Sequence, residues 1–239
     1  AQTVTVSNPE LKPQYANNWD LSAEYYFKPQ GMISVGAFRK KIKDYIDTDN
    51  SQFVEAGQEN GFDGQYVGYR ISTRRNRGEA TIEGLEANYQ QQLTFLPGWA
   101  KGFGVYGNIT KLRTEGNNSS FTTGPVSSAG GTIAGFLNTT GNIGLGYRGH
   151  GLDLRLQAVY RGSYLTSNST NAALVTYQEA KTSWSWKSRY NFSKGLGVFL
   201  DLENIFSTPL DRLYAAYPDR VTSYRTFGTK IVGGVTGRF

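Results

Sequence analysis

The sequence predicts an all-β chain: an antiparallel transmembrane β-barrel, of which these would be about nine C-terminal strands. Three observations carry this. Apolar and polar residues alternate with a period of two through nine segments, the pattern of strands with one apolar and one wet face. The connections alternate between tight turns and long polar loops, as in outer-membrane barrels with one plain and one elaborated end. Aromatic residues gather at the ends of the apolar faces, where the two bilayer interfaces would hold them.

The last segment, Tyr224 to Phe239, shows the alternation plainly. Phe227, Thr229, Ile231, Gly233, Val235, Gly237 and Phe239 fall on one face, and the chain runs to an aromatic residue at its final position. The first hairpin sets Trp19, Leu21, Ala23, Tyr25 and Phe27 against Asn18, Asp20, Ser22, Glu24 and Tyr26. Lys28 to Gly31 is its turn, and Met32 to Ile46 returns with Ile33, Val35 and Ala37 aligned. The cluster Arg39, Lys40, Lys41, Lys43 and Asp44 carries that strand out of any apolar band. Asp47 to Arg77 reads as a long polar loop with strand extensions around Tyr66 to Ser72.

Gly78 to Gln90 and Gly102 to Leu112 are the third and fourth strands, and a second long loop spans Arg113 to Gly135. Phe136 to Tyr147 and Leu152 to Tyr164 follow, joined by a turn at Arg148 to Gly151. After a third loop, Leu165 to Tyr177, come Lys181 to Phe192 and the strand from Leu196 to Glu203. The fourth loop, Asn204 to Ser223, is expected to hold one short helix over Pro209 to Tyr217. Each strand is about 9 to 12 residues long, enough to cross hydrocarbon at a tilt of about 45°. Tyr25, Phe27, Tyr89, Phe103, Tyr147, Tyr190, Phe192 and Phe239 would form one aromatic girdle, and Trp19, Tyr160, Trp184 and Phe227 the other.

Composition agrees. The 239 residues are 38% hydrophobic, and the mean hydropathy is −0.47, so a bundle of membrane helices is excluded. No apolar run approaches the ~20 residues that one such helix needs. Barrel strands escape that test, because only every second residue faces lipid. The absence of cysteine excludes a disulfide scaffold and thiol chemistry. The net charge of +6 lies in scattered residues and not in a basic run with interleaved aromatics, so no nucleic acid partner is expected. No signal peptide is evident, and Ala1 lies in what reads as a loop; a mature fragment, or the C-terminal part of a longer protein, is expected. Nine is an odd strand count, and single-chain bacterial barrels have even ones, so at least one strand must come from elsewhere.

Several segments resemble the C-terminal barrel of TonB-dependent outer-membrane receptors. They are NPELKP (Asn8 to Pro13), NNWDLSAEYYF followed by VGAFRKKIKDYI, GEATIEGLEANY with Gly84 and Glu86, LENIF (Leu202 to Phe206) and the terminal RTFG…GRF. The resemblance covers essentially the whole chain with its motifs in order. It implies a 22-strand barrel with a plugged lumen, of which residues 1 to 239 are the C-terminal portion, the plug domain, TonB box and N-terminal strands lying elsewhere. It also implies residence in the outer membrane of a Gram-negative bacterium and contact with its lipid. The activity implied is uptake of a small-molecule or metal-chelate ligand (ferric siderophore, cobalamin or glycan), energised by the TonB complex through the missing N-terminal region.

No motif calls for an enzyme, a cofactor or a resident metal. GLGYRG (Gly144 to Gly149) matches a dinucleotide fingerprint but precedes a strand, not a helix. DTDNS (Asp47 to Ser51) opens like a calcium loop and then lacks the required Gly and Glu, at Gln52 and Gln58. His150, the one histidine, sits in a turn, and Glu83 and Glu86 point to opposite faces. Lumen-facing charges at Asp153, Arg155, Arg161, Lys187, Arg189, Asp201 and Glu203 read first as wall chemistry, pairing with each other and with a plug. As a ligand path, Arg155 and Arg161 are the candidates. The basic, aromatic segment with Tyr66, Arg70, Arg74, Arg75 and Arg77 could meet an anionic ligand at the outer mouth; solvated loop charge is its plainer reading. Two alternatives of other classes are a passive or structural porin-like barrel and a soluble β-sandwich binding module.

Overall fold

Period-two alternation needs a backbone that turns successive side chains to opposite faces, and only the extended strand does so. The computed structural model describes residues 2–76, 78–116, 132–167, 175–193, 195–214, 217 and 220–237, without the side chains of 50, 51, 167, 211, 212 and 214. Its strands are β1 (Thr3–Thr5), β2 (Tyr15–Phe27), β3 (Gly31–Lys43), β4 (Ile46–Phe53), β5 (Arg70–Asn76), β6 (Ala80–Gln92), β7 (Phe103–Gly116) and β8 (Thr139–Gly149). There follow β9 (Leu152–Arg161), β10 (Tyr164–Ser167), β11 (Thr176–Gln178), β12 (Lys181–Asn191), β13 (Leu196–Glu203), β14 (Leu210–Tyr214), β15 (Val221–Arg225) and β16 (Lys230–Gly237). A 3₁₀ turn covers Gly98–Gly102.

Nine of these make one sheet in the order β2-β3-β6-β7-β8-β9-β12-β13-β16, every neighbour antiparallel. These are the nine strands that the alternation predicts, in meander order, except that the last begins at Lys230 and not at Tyr224: Tyr224 and Arg225 end β15, in another sheet, and Phe227 lies in the link between the two. The turn between β8 and β9 places His150 at φ 52° and Gly151 at φ 79°. Two successive left-handed residues are what a two-residue hairpin with the natural strand twist requires. The sheet's outer edges, on β2 and β16, have no partner strand among the described residues.

Register fixes the faces. Leu21, Ala37 and Leu85 stand in one cross-strand row, and Leu145, Leu156, Trp186, Leu202 and Ile231 in another. All point to the same side, with Trp19 77%, Leu21 76%, Leu85 65%, Ile143 65% and Ile231 67% exposed. The opposite face carries Glu24, Ser34, Asn88, Asn108 and Asn142 in one row. No second sheet covers the apolar face among the described residues. A water-soluble sandwich would bury that face, each such side chain being worth about 1.5 to 3 kcal/mol.

The apolar band does not follow the rows. On β2 it runs from Trp19 to Phe27, and Phe27 closes it beside the short turn. The row through Phe27 continues by register through Gly31, Gln91, Val105, Leu145, Leu156 and Trp186 to Leu202, which opens the band on β13 at the long-loop end. The row therefore crosses the whole band, so the strands are inclined to it, as barrel closure demands. Aromatics cluster at the short-turn end: Tyr25 on Phe27 (6.1 Å), Phe27 on Tyr89 (6.2 Å), Phe103 on Tyr147 (5.0 Å), Tyr190 on Phe192 (4.8 Å). Phe239, expected in this girdle, lies outside the described residues.

The long connections build two small sheets at the other end, β1-β5-β4 and β10-β11-β14-β15. The expected strand around Tyr66 to Ser72 is β5, displaced to Arg70–Asn76, with β4 as its hairpin partner. The short helix expected over Pro209 to Tyr217 is instead the strand β14, Leu210–Tyr214, which pairs with β11 and β15. Waiting backbone donors and acceptors on two sides outweigh the weak helix tendency of a seven-to-nine-residue segment. The strands Pro209 to Tyr217 would have left unpaired thus decide its conformation. Burial is sparse and concentrated at this end: Ala80 and Ile133 form the cluster, with Ile42, Tyr45 and Phe136 against it.

Candidate functional site

β5 is the middle strand of its sheet, pairing with β4 antiparallel and β1 parallel. Strand geometry sends Arg70 and Arg74 to one face and Arg75 to the other. Arg70 lies over the Phe53 ring at 5.7 Å, where the guanidinium gains from the ring face. Arg74 stands near Tyr45: burial pushes the Tyr45 phenol above its ordinary range, Asp47 adds to that, and the Arg74 charge opposes it. Arg75 is committed elsewhere. Its Nε lies 3.3 Å from the carboxylate of Asp49, which is 4% exposed, and its guanidinium donates to Gln52 at 3.1 Å. DTDNS is therefore strand β4 with its central carboxylate paired to an arginine, not a cation loop.

Tyr66 projects from the connection between β4 and β5 at φ 57°, edge-on to Phe62 (5.8 Å) and Tyr69 (5.3 Å). It is 45% exposed. Arg77 lies outside the described residues. Beside this aromatic group an open groove of about 660 Å³ is lined by Asn8, Gln52, Phe62, Thr73, Arg75 and Asn76, among others.

Arg155 and Arg161 sit on the other side of the apolar band's sheet, on the polar face of β9. They stand six positions apart on one strand, about 20 Å at strand rise. Arg155 neighbours Gly146 and Lys187 in register and stacks its guanidinium over Tyr106 at 5.8 Å. Arg161 neighbours Thr140 and Lys181. Both belong to the nine-stranded sheet, whereas Arg70, Arg74 and Arg75 belong to a separate one. The candidates among the described residues thus fall into two sets.

The polar face pairs some of its charges internally. Arg148 donates twice to Asp153, at 2.7 and 3.1 Å, and Lys230 meets Glu203 at 3.4 Å. Tyr106 belongs to this wall and was not singled out by the sequence. Its ring lies over Gly144, its hydroxyl is buried, and that hydroxyl has no hydrogen-bond partner among the described residues. A groove of about 620 Å³ opens beside it between Gln90, Gln92, Arg148 and Arg155. The missed signal is Gly144 and Gly146, two side-chain gaps facing Tyr106 and Gly104 across the ladder.

Known proteins give the same reading. The sequence profile described as TonB dependent receptor-like, beta-barrel matches residues 1–205. No curated protein sequence matches the chain. Among solved structures, a mutant ferric enterobactin receptor from Pseudomonas aeruginosa in complex with enterobactin superposes with a TM-score of 0.70 at 17% identity, over 98% of this chain and 33% of that one. The ferric-catecholate import receptor Fiu from E. coli K12 gives 0.62 at 17%, over 96% and 28%. The copper transporter OprC gives 0.65 at 12%, over 96% and 32%. This chain spans about a third of the length of the structures it matches. At such identities the superpositions show the fold, and the family is shown by the profile over most of the sequence: the chain belongs to the TonB-dependent receptor β-barrel family.

Proposed function

We propose that this chain is the C-terminal wall of an outer-membrane receptor that takes up a small-molecule or metal-chelate ligand, energised by the TonB complex. The plug domain, TonB box and remaining strands of a 22-strand barrel would be supplied by the rest of the protein. The observation that carries this is the nine-stranded sheet with one polar face, one apolar face that no sheet covers and two edges that no strand pairs among the described residues. An open sheet edge is not viable in lipid, so such a sheet needs further strands to close.

The ligand would be anionic. Arg70 and Arg74 share a face of β5, and Tyr66 stands in the connection that leads into that strand, which suits a charged chelate with aromatic or planar parts. Arg75 shapes this region through Asp49, and Arg77 extends the same basic stretch. Arg155 and Arg161 would receive the ligand deeper in the lumen. The structural neighbours, two receptors for ferric enterobactin or ferric catecholates and a copper transporter, favour a metal chelate over a bare sugar.

The test is uptake of radio-iron, supplied as ferric enterobactin and as other ferric catecholates, by cells whose other iron receptors are deleted. Uptake should require both the full-length gene and TonB. Arg70→Ala with Arg74→Ala should weaken binding about tenfold or more, at ~1 kcal/mol or above per charge-assisted contact. Solute entry that persists without TonB would instead identify a passive pore.

A further inference from the structure

We propose that Asn204 is a positioning residue for ligand capture: through Phe227 it fixes the Lys181 ammonium beside Arg161, and those two cations take one anionic group of the ligand between them. This rests on the reading above, in which the ligand is anionic and the polar face of the sheet is lumen wall.

Lys181 opens β12 and lies directly opposite Arg161, the last residue of β9. Both side chains belong to the polar face, at its loop-side end. Like charges placed opposite each other on neighbouring strands, about 5 Å apart at Cβ, destabilise a sheet unless an anion joins them. Neither cation makes an ion pair among the described residues. Glu203, the carboxylate at the same end of β13, is engaged by Lys230 at 3.4 Å. An oxyanion between Arg161 and Lys181 would turn the repulsion into charge-assisted hydrogen bonds.

Lys181 is already held for this. Its ammonium lies over the Phe227 ring, 5.5 Å from the centroid. Phe227 belongs to the link that leads into β16, on the β13 side of β12, whereas Arg161 is on the β9 side. The ring thus draws the ammonium away from Arg161. An ammonium has three donors, so it can keep the ring on one side and meet an anion on the other.

Asn204 builds that seat. It follows the last residue of β13 at φ 55°, a left-handed conformation that asparagine tolerates. Its side chain spans the neck of the excursion that carries β14 and β15: Nδ2 donates to the Phe227 carbonyl at 2.5 Å, and Oδ1 accepts from the Thr208 amide at 3.1 Å. The Thr229 hydroxyl lies 3.2 Å from the carbonyls of Asn204 and Ile205. The Thr208 hydroxyl donates to the Thr182 carbonyl at 3.1 Å, which ties the neck to β12 next to Lys181. The Phe227 backbone is therefore fixed while its ring, 50% exposed, stays open to the lysine. The lower like-charged pair on the same strands, Arg155 and Lys187, is built differently: the arginine is the residue on a ring, and the other cross-strand neighbour of the lysine is Asp201.

The experiment titrates the full-length receptor in detergent with ferric enterobactin, follows quenching of tryptophan fluorescence, and repeats the titration at high salt. Lys181→Gln should weaken binding about tenfold and flatten its salt dependence. Asn204→Gly keeps the left-handed backbone and removes only the amide; it should weaken binding about two- to tenfold, the usual worth of one side chain fixed in advance. Phe227→Leu, which leaves the neck untouched, should do the same, and Phe227→Tyr, which keeps a ring face, should bind as the wild type does. In the Lys181→Gln background, Asn204→Gly should change nothing further. An equal loss from Asn204→Gly with and without Lys181 overturns the proposal, because the asparagine would then only support the loops. Wild-type affinity in Lys181→Gln or in Phe227→Leu overturns it as well. A receptor whose binding needs Arg70 and Arg74 but neither Lys181 nor Asn204 removes this proposal alone; one that binds neither ferric enterobactin nor another ferric catecholate removes the uptake reading with it.

Discussion

Gly144 is where one added carbon would report most on the polar wall. A Cβ there would lie 2.2 Å from the Tyr106 ring, itself under the Arg155 guanidinium. Gly144→Val should expel Tyr106 from its seat and release Arg155, at a cost of about 1 to 3 kcal/mol of overpacking. Denaturant titration of the full receptor in detergent checks the stability, and Tyr106→Ala made alongside Gly144→Val should restore most of it. No restoration would mean that the glycine serves the backbone and not the ring. This contact explains what the residues hid. Arg155 was legible as a lumen cation from alternation alone, but Tyr106 matters because a neighbouring strand lacks a side chain opposite it, and that is knowable only once register is known. Arg75 shows the same limit: in sequence it is one more arginine of a basic run, while in the fold the buried Asp49, across the β4–β5 hairpin, engages it.

At the scale of elements, the nine long strands were readable because hydrocarbon and water impose opposite chemistry on alternate residues. The short strands β4, β10, β11 and β14 were not, since they belong to the small sheets of the long connections, where alternate faces are not set against hydrocarbon and water, and the partner of β11 on one side, β14, is remote in sequence. The inclined apolar band gives a sharper test than the strands' existence. Leu156 and Ile231 share a register row, yet Leu156 lies midway along the apolar run of β9 and Ile231 at the loop-side end of that of β16. Leu156→Arg should cost about 2 to 4 kcal/mol and Ile231→Arg about 0 to 1, from the depth dependence of charge in a bilayer. Unfolding free energies of the two variants in phosphocholine bilayers decide it; equal costs would mean that rows and membrane depth coincide.

At the scale of the molecule, the edges of β2 and β16 dominate. Each presents a line of backbone donors and acceptors with no partner among the described residues. Expressed alone, residues 1–239 should aggregate or stay unfolded, whereas the full-length receptor should run as a compact, heat-modifiable band in cold detergent gels. A monodisperse, heat-modifiable monomer of the 239-residue chain would contradict this. The polar row of Asn88, Asn108 and Asn142 has its own consequence. The row on which the outward band was traced climbs about 20 Å along the strands while crossing about 34 Å of sheet, an inclination of roughly 30°. The asparagines follow the same slope on the inner side, so they are cut like the thread of a nut. A body that travelled down the bore while exchanging one amide contact for the next along that thread would have to rotate as it advanced.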